Sequence, residues 1–218
     1  MLMNYILTFA MRNRHGGTIF EVHTLVKYGC ASSQGRLHEM HERIDEMSNE
    51  AFEPSKFSDL IDANSDYAQT FKYSELTGSA ARGLAIVTCV DARINPLSVV
   101  GMRSGDAKIL RNAGARVTED VLRTLVLATY LLKVDRILVM PHTDCRMAQS
   151  DESNIHELIE SKFGVDTRSI EFRVTKDQEA ALNSDVSSIR NYPLIREGVS
   201  VAGAIYDVKT GKIDFKNF

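Results

Sequence analysis

Three short apolar runs, LAIVTCV (84–90), AKILRNAG (107–114) and RILVMPHT (136–143), recur along the chain with long spacers between them. Runs of this length that stay apolar, rather than alternating with polar residues, read as central strands buried on both faces. Parallel strands of that kind need crossover connections, usually helices. The segment TEDVLRTLVLATYLLKV (118–134) supplies one: Thr118 is a plausible N-cap, Glu119 and Asp120 follow where the helix dipole favours anions, and Val121, Leu122, Leu125, Val126 and Leu132 form its apolar face. Further helices are expected over 154–163 and 175–190. The C-terminal VSVAGAIYDVKTGKIDFKNF reads as strand, Lys-Thr-Gly turn and strand. The predicted fold class is α/β: a central, mostly parallel β-sheet flanked by helices, with a C-terminal edge hairpin.

The first 50 residues differ. They hold four of the six histidines, a Gly16-Gly17 pair and a polar ASSQG stretch, without sustained periodicity. We read 1–50 as an N-terminal extension of uncertain order and 51–218 as a single α/β domain. Within the extension, Leu37, Met40, Ile44 and Met47 suggest a short helix over 37–47.

Composition narrows the function classes. The 218 residues carry 26 Lys+Arg against 29 Asp+Glu, a formal charge of −3, and 25% of them are charged. No stretch approaches the roughly 18 consecutive apolar residues of a membrane span, so no membrane partner is expected. No basic block offers the phosphate neutralisation that nucleic-acid binding needs, so none is expected there either. Three cysteines, at 30, 89 and 145, are a poor basis for a secreted disulfide scaffold and point to a reducing cytoplasm. The start, MLMNYILTFAMRNRHGG, lacks a charged region ahead of its apolar run and reads as no signal peptide.

Chemistry concentrates at two strand ends. Cys89 closes LAIVT and begins Cys89-Val90-Asp91-Ala92-Arg93; RILVMP runs into His142-Thr143-Asp144-Cys145. In open α/β sheets, ligands bind beyond the carboxyl ends of strands, where both thiols emerge. Thiolate and imidazole are preferred zinc ligands, and three protein ligands with one open position define a catalytic site. The two cysteines as small buried hydrophobes, Asp91 and Arg93 as a structural ion pair, and His142 as a core histidine are the plainer readings. Asp144 reads as a turn former or hydrogen-bond acceptor.

At these residues the sequence resembles the β-class carbonic anhydrases, and its short members most closely. The resemblance rests on CVDAR at 89–93 and HTDC at 142–145, whose first residues lie 53 positions apart, with RNAGA (111–115) between them. It spans about residues 59–218. It implies that Cys89, His142 and Cys145 ligate one Zn²⁺ per chain and that Asp91 and Arg93 form the catalytic dyad. The implied reaction is reversible hydration of carbon dioxide to bicarbonate and a proton, by attack of zinc-bound hydroxide. The implied assembly is a homodimer or higher homo-oligomer, with an N-terminal helical arm that includes Asp66 to Phe71 lying on its neighbour. One departure stands out: members commonly have Gly after the last ligand, where this chain has Arg146.

Asp91 has two options, pairing with Arg93 or occupying the fourth zinc position, and only the first leaves room for water. Thiolates withdraw less charge from bound water than imidazoles do, so activity is expected to rise in the alkaline range. Rival readings are a hydrolase of carbon disulfide or carbonyl sulfide, a non-catalytic zinc dimer closed by Asp91, and, more weakly, a thiol redox role. His38 and His41 are three apart, where the zincin pattern needs four, and read as a solvated helix face. Cys30 reads as a thiol without function, and GMRSGD (101–106) as a turn.

Overall fold

The computed structural model describes residues 4–12, 18–27 and 53–218, the first two stretches as backbone. Two compact units divide between Phe71 and Lys72, later in the chain than the change of composition near residue 50.

The first unit contains strand β1 (Asn4–Arg12), antiparallel to β2 (Thr18–Lys27), with Asn4 opposite Lys27 and a register irregularity between Met11 and Arg12. This hairpin corrects the reading of 1–50 as lacking periodic structure. Adjacent apolar residues such as Ile6 and Leu7 fall on both alternating sets of positions, which blurs the period-two contrast that reveals a half-buried strand. The expected helix over 37–47 lies outside the described residues. A 3-10 turn at Pro54–Phe57 leads into helix α1 (Ser58–Gln69), which buries none of its residues.

The second unit is built on five strands: β3 (Leu84–Cys89), β4 (Ala107–Asn112), β5 (Arg136–Met140), β6 (Ser200–Tyr206) and β7 (Ile213–Lys216). Their order in the sheet is β4-β3-β5-β6-β7. The pairs β3–β4, β3–β5 and β5–β6 are parallel, and β7 returns antiparallel to β6 as the expected edge hairpin. All six residues of β3 are buried, as the unbroken apolar run requires.

The helices follow from caps and apolar spacing. After the short α2 (Pro96–Val99) comes α3 (Glu119–Leu131), where the Thr118 side chain accepts the Val121 amide as the expected N-cap. It crosses from β4 over β3 to β5 and buries Val121, Leu125, Ala128 and Thr129. A four-residue α4 (Arg146–Gln149) precedes α5 (Glu152–Phe163). Helix α6 (Gln178–Arg190) starts three residues later than its polar lead-in suggests, because Asp177 caps the Ala180 amide at 2.9 Å.

Alternation along the strands produces two apolar layers. Ala85, Val87, Ile137 and Val139 meet Val121 and Leu125 of α3 and Leu182, Val186 and Ile189 of α6. Leu84, Ile86, Leu138 and Met140 form the other layer with Ile94, Val100 and Met102. The first layer makes the sheet a rigid base, and the strand ends above it carry the reactive side chains.

Candidate metal centre

Cys89 is the last residue of β3, and His142 follows β5, the neighbouring strand in the sheet. The two ends are tied together: the buried Thr88 hydroxyl donates to the Met140 carbonyl at 2.7 Å. Past β5 the chain stays in register with β6 through a bridge between His142 and Tyr206, and the Thr143 amide donates to the Tyr206 carbonyl at 2.9 Å. Asp144 then adopts a left-handed φ of 57°, a conformation Asp tolerates better than most residues. That turn brings Cys145 back toward Cys89.

The result is a cluster of Cys89, His142 and Cys145, all buried, with candidate ligand atoms within 4.8 Å of one another. His142 is 1% exposed. Its Nδ1 lies 2.8 Å from the Thr143 carbonyl, a partner that can only accept, so the proton sits on Nδ1 and Nε2 carries the lone pair. Nε2 is the one buried side-chain nitrogen or oxygen among the described residues without a hydrogen-bond partner. An orphaned acceptor in a buried site is costly, and here it shares a cluster with the two cysteine sulfurs. A proton or a cation resolves it. Two sulfurs and one imidazole nitrogen are the donor set that zinc prefers, so these residues fit that ion.

The metal-free electrostatics point the same way. The Cys145 thiol and the Gly114 amide, acting against burial, lower Cys89 well below the ordinary thiol range. The same interaction, together with burial, pushes the Cys145 thiol far up. His142 is shifted upward, chiefly by the Cys89 thiolate beside it. The Gly114 amide lies 3.4 Å from Cys89 Sγ. Gly114 sits at φ 78°, and a Cβ there would come within 3.3 Å of Met147 Cβ, so the close approach of this backbone to the sulfur suits glycine.

Beside the cluster, Arg93 grips Asp91 with Nε to Oδ1 at 2.9 Å and Nη2 to Oδ2 at 2.7 Å, and its backbone amide adds a third bond to Oδ1 at 2.9 Å. This bidentate hold keeps the Asp91 carboxyl well below the usual carboxylate range. Asp91 Oδ2 also lies 3.6 Å from His142 Nε2, at the edge of the cluster. The structure thus brings together all five residues singled out from the sequence. Asp144 is both of the things expected of it, a turn former and an acceptor, taking Arg93 Nη1 at 2.8 Å.

Several further residues support the site in roles that no local pattern defines. Arg111 donates to the Cys89 carbonyl at 2.8 Å and to the Asp91 carbonyl at 2.6 Å, pinning the backbone between thiol and carboxylate. The Asn112 side chain clasps Arg116 at both its amide and its carbonyl, closing the turn that presents Gly114. Arg116 reaches the buried Asp185 on α6 at 2.7 Å, and Gln178 donates to the His142 carbonyl at 2.9 Å. The motif RNAGA marked this segment, but its role emerges only from contacts across the sheet. Arg146 is exposed at the start of α4, with no ion pair among the described residues. GMRSGD is a turn, with Gly101 and Gly105 at positive φ. Cys30, His38 and His41 lie outside the described residues. No helix among the described residues is long and apolar enough to cross a membrane.

Comparison with known proteins agrees with this geometry. Residues 84–213 match the family model described as carbonic anhydrase. The chain is 32% identical over 162 residues to β-carbonic anhydrase 1 of Mycobacterium tuberculosis, covering 72% of this chain and 94% of that protein. Among solved structures, carbonic anhydrase from Streptococcus mutans aligns with a TM-score of 0.70 at 35% identity, covering 77% of this chain and 99% of that one. A carbon disulfide hydrolase from an Acidianus strain is similar at 29% identity, over 61% of this chain and 76% of that protein. The matched span holds both reactive motifs and the RNAGA turn between them, and the chain belongs to the β-carbonic anhydrase family.

Proposed function

We propose that this protein is a zinc-dependent carbonic anhydrase, interconverting carbon dioxide and bicarbonate, with Cys89, His142 and Cys145 as the metal ligands and Asp91 and Arg93 as the catalytic dyad. The observation that carries this assignment is the buried His142 Nε2, whose lone pair has no hydrogen-bond partner among the described residues and belongs to a cluster in which the Cys89, His142 and Cys145 ligand atoms lie within 4.8 Å of one another. Zinc bound there supplies Lewis acidity that turns water into a nucleophile near neutral pH.

The chain's own groups do the rest. The Thr143 carbonyl fixes the His142 tautomer, and the Gly114 amide stabilises negative charge on Cys89. Asp91, held ionised by Arg93, would accept a hydrogen bond from the hydroxyl nucleophile and so orient that hydroxyl's lone pair toward the carbon of the substrate. The bidentate pair engages both carboxylate oxygens of Asp91, so Asp91 would stay with Arg93 while Cys89, His142 and Cys145 would hold the zinc.

A homodimer fits the remaining surface. Beside the second apolar layer runs a groove bordered by Val100, Met102, Ala202 and the exposed Phe215, and helix α1 leaves Leu60, Ile61 and Tyr67 exposed. Burying such patches against a second copy is the ordinary reason for them. The buried, unbridged Cys89 and Cys145 suit a reducing compartment, and we place the protein in the cytoplasm.

The test is stopped-flow carbon dioxide hydration on protein of known zinc content, from about pH 7 to about pH 9, the range bracketing a zinc-bound water. Turnover that rises with pH supports the assignment, and absence of turnover at one zinc per chain overturns it. Running carbon disulfide on the same preparation separates the two substrates; identity to the carbon disulfide hydrolase is the lower, which places carbon dioxide first.

A further inference from the structure

The Arg93 guanidinium has a second set of partners that the dyad does not explain. While Nε and the near side of Nη2 serve Asp91, Nη1 donates to Asp144 Oδ2 at 2.8 Å and Nη2 also reaches the Asp144 carbonyl at 3.2 Å. Asp144 is itself anchored: its other oxygen, Oδ1, accepts from Gln149 Nε2 at 3.0 Å. A chain of side chains therefore runs from Gln149 on α4 through Asp144 and Arg93 to Asp91, whose Oδ2 ends 3.6 Å from His142 Nε2.

We propose that Asp144, supported by Gln149, is a positioning residue for the reaction, locking the Arg93 guanidinium so that Asp91 is held in its paired orientation. The inference rests on the carbonic anhydrase reading above. The physical need is plain. Arg93 is a long side chain, 46% exposed, and one carboxylate on one edge leaves it free to swing about its stem. A guanidinium is planar and offers five N–H groups in a fixed fork, so acceptors on two edges fix its plane where one does not. Asp91 and Asp144 take different edges and orient the cation without competing for the same hydrogens. The left-handed turn at Asp144 serves the same end, since it lets both the side chain and the carbonyl of one residue face Arg93. Helix α4 is only four residues long, and its last residue, Gln149, supplies the outer anchor.

The experiment compares wild type, Asp144→Ala, Asp144→Asn and Gln149→Ala, each loaded to one zinc per chain. Asp144→Ala is expected to lower kcat about tenfold with KM unchanged, as for loss of geometry at a reacting group. Asp144→Asn keeps an oxygen for Nη1 and tolerates the left-handed backbone, so it recovers most of that loss. Gln149→Ala, which leaves the turn intact, moves kcat in the same direction by a smaller factor. A second readout is independent of turnover: solvent exchange of the Arg93 Nε–H, followed by nitrogen-15 NMR, accelerates about tenfold in Asp144→Ala as the guanidinium loosens. An Asp144→Ala protein with wild-type kcat and wild-type Arg93 exchange overturns the proposal. So does an Asp144→Asn protein as impaired as Asp144→Ala in both. Wild-type protein without turnover at full zinc overturns the carbonic anhydrase reading, and Arg93 exchange still decides whether Asp144 holds the guanidinium.

Discussion

Arg93 holds both carboxylate oxygens of Asp91, at 2.9 and 2.7 Å, across only one intervening residue. The local turn therefore builds the pair, and the Arg93 amide adds a bond of its own to Oδ1. Asp91→Asn replaces one acceptor oxygen by a donor and removes the charge that grips the guanidinium. We expect it to keep zinc, since Asp91 is not among the three clustered ligand candidates, and to lose about 100-fold in kcat, the scale for one preorganised catalytic hydrogen bond. Zinc analysis alongside hydration kinetics checks both halves, and unimpaired turnover sinks the dyad role.

Cys145→Ser tests the cluster itself. A serine hydroxyl does not replace thiolate as a zinc ligand, so the variant is expected to purify with less than stoichiometric zinc. Because metal binds the folded chain, its loss also removes stability, by about 4 kcal/mol where free zinc stands a thousandfold above its Kd. Thermal melts of wild type with and without a chelator give the size of the metal's contribution. The Cys145→Ser protein should melt with the chelated wild type, and one zinc per chain in that variant removes Cys145 from the ligand set.

Zinc affinity should depend on pH in a direction set by the two thiols. Cys89 is already a thiolate in the metal-free site, whereas Cys145 keeps its proton far above its ordinary range. Binding at neutral pH therefore expels a proton from Cys145, and affinity rises with pH. His142, shifted upward, adds a second proton as pH falls into its range. The logarithm of the affinity is expected to rise by about one per pH unit above that range, the slope climbing through it to about two below. Calorimetric titration in buffers of different ionisation enthalpy counts the protons directly, and a count of zero at neutral pH contradicts the thiol pair.

How much of this was legible in the sequence depends on distance along the chain. Strand β3 and the edge hairpin announce themselves in unbroken or turn-punctuated apolar runs, and the Thr118 cap lies next to the helix it starts. Cys89, Asp91 and Arg93 are within five residues, as are His142 and Cys145, so each half of the site is a local pattern. The Arg116–Asp185 pair joins residues 69 apart and Gln178 reaches His142 across 36, and neither leaves a periodic trace. The β1–β2 hairpin escaped for a different reason, since apolar residues on both alternating sets hide the strand period.

Arg146 separates local sequence departure from local function. It stands next to Cys145, where the family resemblance leads us to expect Gly, yet it is exposed and makes no ion pair among the described residues. Surface positions without partners contribute little, so Arg146→Gly is expected to change stability by less than about 0.5 kcal/mol beyond the cost of glycine in a short helix. Turnover should stay within about twofold of wild type, because none of the bonds to Cys89, Asp91 or His142 involves this side chain. A large change in bicarbonate KM on that substitution contradicts this and marks Arg146 as an anion contact.

Asp185→Ala probes the far end of the site's scaffold. Asp185 is 5% exposed, and Arg116 Nε sits 2.7 Å from its Oδ2, so removing the carboxylate leaves a mostly buried guanidinium without its counter-charge. Breaking a buried pair in this way costs about 3 kcal/mol, where replacing both partners with apolar residues costs less. The Arg116 backbone is also the clasp of the turn that carries Gly114, so the loss reaches the Cys89 sulfur through the Asn112 contacts. Denaturant melts of Asp185→Ala and of an Arg116→Met, Asp185→Leu double variant form the check. The single variant is expected to be the less stable of the two, and equal stability shows that the charge on Arg116 finds another partner or reaches water.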